Sequence, residues 1–195
     1  MIKPDASNVD INNYDAIIRF YENNLLYFDN FHLISDEDSV IEIIKIKSHY
    51  INALIKKNRH TKALKALENK DLLLDRIKHY DDLYRMQSEI YKFYIGSANG
   101  YLKNYKVAIG IFEELYECDP DNDLYRDWLE QMKFQQMSKK IPYVGYIGVF
   151  VLFIAGYCYK FSFSNILVFI GIIMVLIAAL FPYSNKILRK LKLKK

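Results

Sequence analysis

The chain holds two cysteines, Cys118 and Cys158, in 195 residues. That is too few for a disulfide framework, and no CxxC spacing suggests a metal site. Its first ten residues, MIKPDASNVD, have no apolar stretch. A cleaved signal peptide is therefore not expected, and the part of the chain before its hydrophobic runs should stay on the side of the membrane where it was made. No GxGxxG, P-loop or GxSxG motif occurs, and His32, His49, His60 and His79 form neither HExxH nor a Cys/His cluster. Catalytic residues, cofactors and bound metal are thus not expected, and the chain does not read as an enzyme. Strand-like alternation is missing and glycine is absent before Gly96. Apolar residues instead recur at helical spacing, so the fold class expected is all-α.

Acid is missing from the last third. All 23 Asp and Glu residues lie at or before Glu130. Residues 1–138 carry 18 Lys and Arg and so a net charge of −5, whereas residues 139–195 carry nine cations and no acid. Mean hydropathy near zero, −0.07, averages these two unlike parts. The excess positive charge sits beside hydrophobic runs, so a surface of anionic lipid is a more economical partner than nucleic acid.

Ile141 to Tyr159 is 19 residues without a charge. At about 1.5 Å per residue this just spans a hydrocarbon core of about 30 Å. Pro142 falls in the first turn, where a missing N–H is harmless. After Lys160, Phe161 to Asn185 is again uncharged. The expectation is two antiparallel transmembrane helices, about 141–159 and 164–183, within a hairpin segment 139–185 and joined by a tight turn at Lys160–Asn165. Lys139 and Lys140 flank one end, and Lys186, Arg189, Lys190 and Lys192 lead a basic tail (186–195). By the positive-inside rule both chain ends face the cytoplasm. Tyr143, Tyr146, Tyr157, Tyr159, Phe161, Phe163 and Tyr183 sit where an aromatic belt would. Gly145, Gly148, Gly156 and Gly171 suit close helix packing. No Asp, Glu, Arg or His lies inside either span, which argues against a transporter.

Residues 1–138 read as a helical domain. Expected helices are Asn12–Phe28, a helix capped at Ser35-Asp-Glu-Asp and running to about Lys57, Thr61–Asn69, Leu72–Tyr80, Asp82–Leu102, Asn104–Cys118 and Asp121–Ser138. Residues 89–122, EIYKFYIGSANGYLKNYKVAIGIFEELYECDPDN, resemble a tetratricopeptide repeat at Ile95, Gly96, Ala98, Tyr105, Ala108, Phe112 and Pro120. Gly96 and Ala108 are small, so two helices approach closely; Tyr105 and Phe112 fill the space between, and Pro120 stops the second. The departures are Lys92, Asn99 and Leu115. A degenerate copy at Ile44–Ile77 matches at Ala53, Leu54, Ala63 and Leu67. Ala63 and Ala108 lie 45 residues apart, which places an insertion of 11 between the copies.

With a repeat beside an apolar C-terminal run, residues 91–145 are similar to the mitochondrial fission tail-anchored adaptor family. That family has one span; two are expected here. The resemblance implies a TPR-like antiparallel helical bundle whose groove takes a peptide or partner helix. Carried over, the groove-facing positions are Ile90, Phe93, Ser97, Gly100 and Tyr101, with Lys45, Ser48, Asn52, Ile55 and Lys56 in the weaker copy. The expected function is a membrane-anchored adaptor or scaffold that recruits a protein partner, in organelle or membrane fission or assembly. Two alternatives stand beside it: a two-span effector or channel whose helical domain senses or oligomerises with further copies of the chain, and a membrane-shaping hairpin. Asp119, Asp121, Asp123, Asp127 and Glu130 have the spacing of a calcium loop, but Leu124 stands where that loop needs glycine, and helix starts account for the acids.

Overall fold

A computed structural model describes residues 3–6, 9–157 and 164–192, with side chains except at 164 and 182–192. Among these residues every regular element is helical: α1 Tyr14–Asn23, α2 Leu25–Asp29, a one-turn 3-10 helix Phe31–Leu33, α3 Glu37–Lys56, α4 His60–Ala66, α5 Lys70–Asp75, α6 Asp81–Tyr101, α7 Tyr105–Cys118, α8 Asp123–Ser138, α9 Ile141–Tyr157 and α10 Ser164–Lys192. The all-α expectation is met. The chain divides into two compact units, residues 1–132 and 133–195.

The expected helix Asn12–Phe28 is two helices. The Asn24 side chain donates to the Phe20 carbonyl at 2.8 Å, and its backbone N–H turns to Tyr21. A short amide side chain competing for helix carbonyls ends the helix there. The break folds Phe28 back over Tyr21, with rings stacked 4.5 Å apart, and Tyr50 stacks on Tyr21 at 4.0 Å. The cap of α3 is Asp36, one residue beyond Ser35: its carboxylate accepts from Ser39 N at 3.0 Å. The expected helix Leu72–Tyr80 stops at Asp75, and residues 76–79 are turns.

In the first unit the helices have a definite order of direction. Glu37 at the start of α3 accepts from the Tyr80 hydroxyl, at the start of α6. Mid-helix, Ser48 donates to Gln87 and the Tyr91 hydroxyl to the Ile44 carbonyl. So α3 and α6 run the same way, crossing near their middles. His60, at the start of α4, stacks on Tyr101 at the end of α6, which makes α4 antiparallel to both. The Lys92–Glu114 pair and the fit of Gly96 against Phe112 set α7 antiparallel to α6. Phe93–Tyr125 and Gly100–Met132 contacts align α8 with α6.

The ends of α3 and α6 are built alike. Asn58 and Lys103 are the two non-glycine residues with positive φ among the described residues, at 58° and 65°. In each turn a backbone N–H reaches five residues back, Arg59 to Leu54 at 2.8 Å and Asn104 to Asn99 at 2.9 Å. Such bonds satisfy carbonyls that a helix end leaves orphaned. The buried alanines Ala53 and Ala98 precede the turns, and Ala63 and Ala108 follow them. Every pair is offset by 45 positions, the spacing of the two repeat copies.

In the second unit α9 and α10 pack antiparallel. Gly145 meets Ala178, Gly148 meets Gly171, Met174 and Val175, and Gly171 meets Leu152. A Cβ at either Gly148 or Gly171 would lie 3.0 Å from the other's carbonyl oxygen, so only glycine permits this approach. Gly156 meets nothing within 4 Å and is not part of the seam. Before α9 the chain tightens: Lys140 N bonds to the Met137 carbonyl and Tyr143 N to the Lys140 carbonyl, three residues back. Pro142 has no N–H to continue the i−4 ladder, so the turn falls at Lys139–Lys140.

Candidate partner-binding face and apolar hairpin

Tyr101 is the most open of the positions expected on α6, 52% exposed. It is also held, between the His60 ring, 4.5 Å away and nearly parallel, and the edge of Trp128 at 5.6 Å. Burial lowers the His60 pKa below the ordinary imidazole value, which keeps the ring neutral near pH 7. Its Nδ1 is buried with no partner among the described residues.

The other α6 positions face inward. Ser97 is 2% exposed and its hydroxyl donates to the Tyr94 carbonyl. Gly100 is buried: a Cβ there would meet the Met132 sulfur at 2.6 Å and lie near Trp128. Phe93 packs edge-on against Phe112 and Trp128 at 5.8 and 5.9 Å, and Ile90 packs against the larger core of the unit. The reason is α8. Its apolar residues Trp128, Leu129 and Met132 need cover, and the small Ser97 and Gly100 let it sit directly on α6. Ser97 and Gly100 are thus buried, and the half-buried Phe93 packs against Phe112 and Trp128.

On α3, Lys45 and Lys56 are exposed and Asn52 and Ser48 half-buried, whereas Ile55 is 8% exposed and belongs to the core. Ser48 is occupied by Gln87 at 3.1 Å. Lys45, Asn52 and Lys56 follow one stripe of α3 at spacings of seven and four. Lys56 stands at the end of α3 and Tyr101 at the end of α6, and since those helices run the same way the two share one end of the bundle. Trp128 and His60, which hold Tyr101, carry no motif that marks them in the sequence. The lone tryptophan of the chain, four positions before Met132 on one face of α8, is the available signal.

Two of the five carboxylates with calcium-loop spacing are engaged locally. Asp119 accepts from Asn122 at 3.2 Å, and Asp123 pairs with Arg126. No group of three or more potential metal ligands gathers among the described residues.

The hairpin reverses the usual burial. Phe153 is 81% exposed, Tyr146 71%, Phe150 and Phe169 66% each, and Tyr157 91%. The run Asp123–Tyr157, joining α8 and α9, is the one described helix long and apolar enough to cross a membrane, by length and composition; the apolar part of α10, Asn165–Phe181, is shorter. Two full spans, as expected from sequence, are thus not met by the described helices. Cys158, Tyr159, Lys160, Phe161 and Phe163, in and beside the expected turn, lie outside the described residues, as do Lys194 and Lys195. Lys139 and Lys140 are exposed at the head of α9. Lys186, Arg189, Lys190 and Lys192 lie on the backbone of α10, which continues into the expected tail.

No protein-family model, curated protein or solved structure matches the chain.

Proposed function

We propose that this chain is a membrane-anchored helical adaptor of tetratricopeptide type, with α9 and α10 inserted together as a hairpin and both chain ends on the cytoplasmic side. The observation that carries the anchor is the outward apolar surface of α9 and α10. Two helices alone cannot cover it: large side chains face out while glycines and alanines occupy the seam. In water that arrangement forfeits about 25 cal/mol for each Å² of apolar surface left exposed. In hydrocarbon it carries no such penalty, and small residues at the seam are what helix pairs in lipid use.

The adaptor part rests on the first unit. Its parallel α3, α6 and α8, with α4 and α7 running back between them, follow the order of tandem helical repeats, and the two matched turns 45 residues apart support a duplicated hairpin. Because α8 covers the second repeat, the partner face is reduced to Lys45, Asn52 and Lys56 on α3 with Tyr101 at the end of α6. Two cations and an aromatic ring suit an acidic peptide or helix bearing an apolar anchor.

The test is proximity labelling in the chain's own cells, comparing the full chain with a Lys45→Glu/Lys56→Glu/Tyr101→Ala variant and a version lacking residues 141–195. The adaptor reading expects a few partners enriched by the full chain, lost by the triple variant and displaced from the membrane by the truncation. Labelling that is unchanged by the triple variant would assign recruitment elsewhere. A truncation that stays membrane-bound would remove the anchor role from the hairpin.

A further inference from the structure

Lys47 is the one lysine in the core of the first unit, 3% exposed. It lies on α3 one helical step from Tyr50 and forms no hydrogen bond or ion pair among the described residues. A buried ammonium without a partner is costly, and folded chains normally compensate it. Burial drives its pKa down from the ordinary value, opposed only in part by Asp29 at a distance. The packing does not enclose it, for Lys47 forms part of the wall of a recess of about 310 Å³ that opens between α1, α3 and α4. That volume is at the lower end of small-molecule sites.

The recess has two levels. Around Lys47 are the stacked rings of Tyr21 and Tyr50, and burial raises the pKa of both phenols well above the ordinary value, so they stay protonated. The Tyr50 hydroxyl leans to Glu22 at 3.5 Å. At the rim stand Lys62, paired with Glu22 at 2.8 Å, and the exposed Lys65, Glu68 and Asp29. Charges of both signs are solvated at the mouth, whereas the charge set deeper in the wall, on Lys47, is positive and is opposed only in part by Asp29.

We propose that this recess binds a small molecule through an oxyanion, phosphate or carboxylate, that pairs with the Lys47 ammonium, with the Lys62 and Lys65 ammoniums at the mouth. A cation would be repelled by Lys47, and a neutral apolar ligand would leave the ammonium uncompensated. The oxyanion has two natural sources, a free metabolite or a lipid headgroup.

The test uses the full chain in neutral detergent and in phosphatidylcholine nanodiscs, in buffer free of both anions. The probes are inorganic phosphate, succinate, and nanodiscs with added phosphatidate. Thermal unfolding of the first unit is compared for wild type, Lys47→Met and, as a control, Lys106→Met. The ligand-free Lys47→Met protein should melt higher than wild type, because a charge that is only partly compensated is gone. A saturable rise with phosphate or succinate, lost in Lys47→Met and kept in Lys106→Met, establishes the site with a soluble ligand. A rise only with phosphatidate, again lost in Lys47→Met, assigns the lipid source. If no probe gives a Lys47-dependent rise, the proposal is overturned. A second readout uses wild type alone: the effective probe should slow reductive methylation of Lys47 at least threefold and leave Lys106 unchanged. Equal rates with and without every probe overturn it too.

Discussion

The two units are built from the same element and obey opposite rules of burial. In residues 1–132 the large apolar side chains point inward: Phe28, Ile43, Ile51, Leu54, Leu73 and Tyr91 are at most 1% exposed. Among the described residues of the hairpin the buried positions are Gly148, Ala155 and Gly171, while Phe153, Phe169 and Leu180 face out. One solvent cannot favour both. Water rewards the first arrangement through the area it removes, and hydrocarbon, which rewards no apolar burial, leaves close van der Waals contact between small residues to hold the second. The difference makes the membrane a physical requirement of the proposed anchor and makes its failure measurable.

The largest effect belongs to the water-type core. Leu54→Ala, at a residue with 0% exposure, should cost about 2–5 kcal/mol in chemical unfolding of the first unit. A loss below about 1 kcal/mol would mean that this core is not packed as described. The hairpin should be sensitive in the reverse sense. Val149 is 55% exposed at mid-α9. Val149→Arg should leave the first unit's unfolding untouched and disfavour insertion by about 3 kcal/mol, read in a translocon insertion assay. Insertion as good as wild type would place α9 outside the hydrocarbon. Smaller again is the seam. Gly171→Leu puts a Cβ 2.6 Å from Leu152 and 3.0 Å from the Gly148 carbonyl, and overpacking of this kind costs about 1–3 kcal/mol. Disulfide trapping between Gly145→Cys and Ala178→Cys should then fall; unchanged trapping would show that the seam is loose.

Much of this is legible in the sequence, and the gaps have definite causes. Period, caps and acidic first turns place α3, α6, α7 and α8 to within about two residues, since those signals are local. The break at Asn24 escapes a sequence reading because the pattern of apolar residues continues across it, and the competing side-chain bond to Phe20 depends on a turn that the stacking of Tyr21, Phe28 and Tyr50 rewards. The offset of 45 between Ala63 and Ala108 is visible, but its meaning lies in two backbone turns whose residues, Asn58 and Lys103, share no side-chain chemistry. The burial of Gly100 is set by α8, whose Met132 and Trp128 occupy the space beside it, and a repeat alone does not reveal its neighbour. Lys47 reads as one more helical lysine, because nothing local marks a charge as buried.

The matched turns allow a finer comparison within the first unit. A non-glycine residue in the left-handed region costs about 1–2 kcal/mol, less for asparagine. Lys103→Gly should thus stabilise by up to about 1 kcal/mol after the added freedom of the unfolded chain is subtracted, and Asn58→Gly by less. Equal gains at both sites would show that the turns are not strained as their φ angles imply.

The smallest effect concerns acid. Asp36 caps α3, and its hydrogen bonds from the Ser39 side chain and backbone hold its carboxyl below the ordinary aspartate value. The folded pKa lies below the unfolded one, about 3.9, so the stabilisation is complete above that value and is lost as pH falls through the folded pKa. Asp15 and Glu37, lowered by Lys57 and by Tyr80 with His79, act in the same sense. Asp36→Asn keeps an oxygen to accept from Ser39 N, and asparagine caps about as well as aspartate. The variant should therefore melt near wild type at pH 7 and lose less on acidification to pH 3, with the residual loss due to Asp15 and Glu37. If its acid loss equals that of wild type, the Asp36 carboxylate does not contribute to the pH dependence, and its cap is a matter of hydrogen-bond geometry alone.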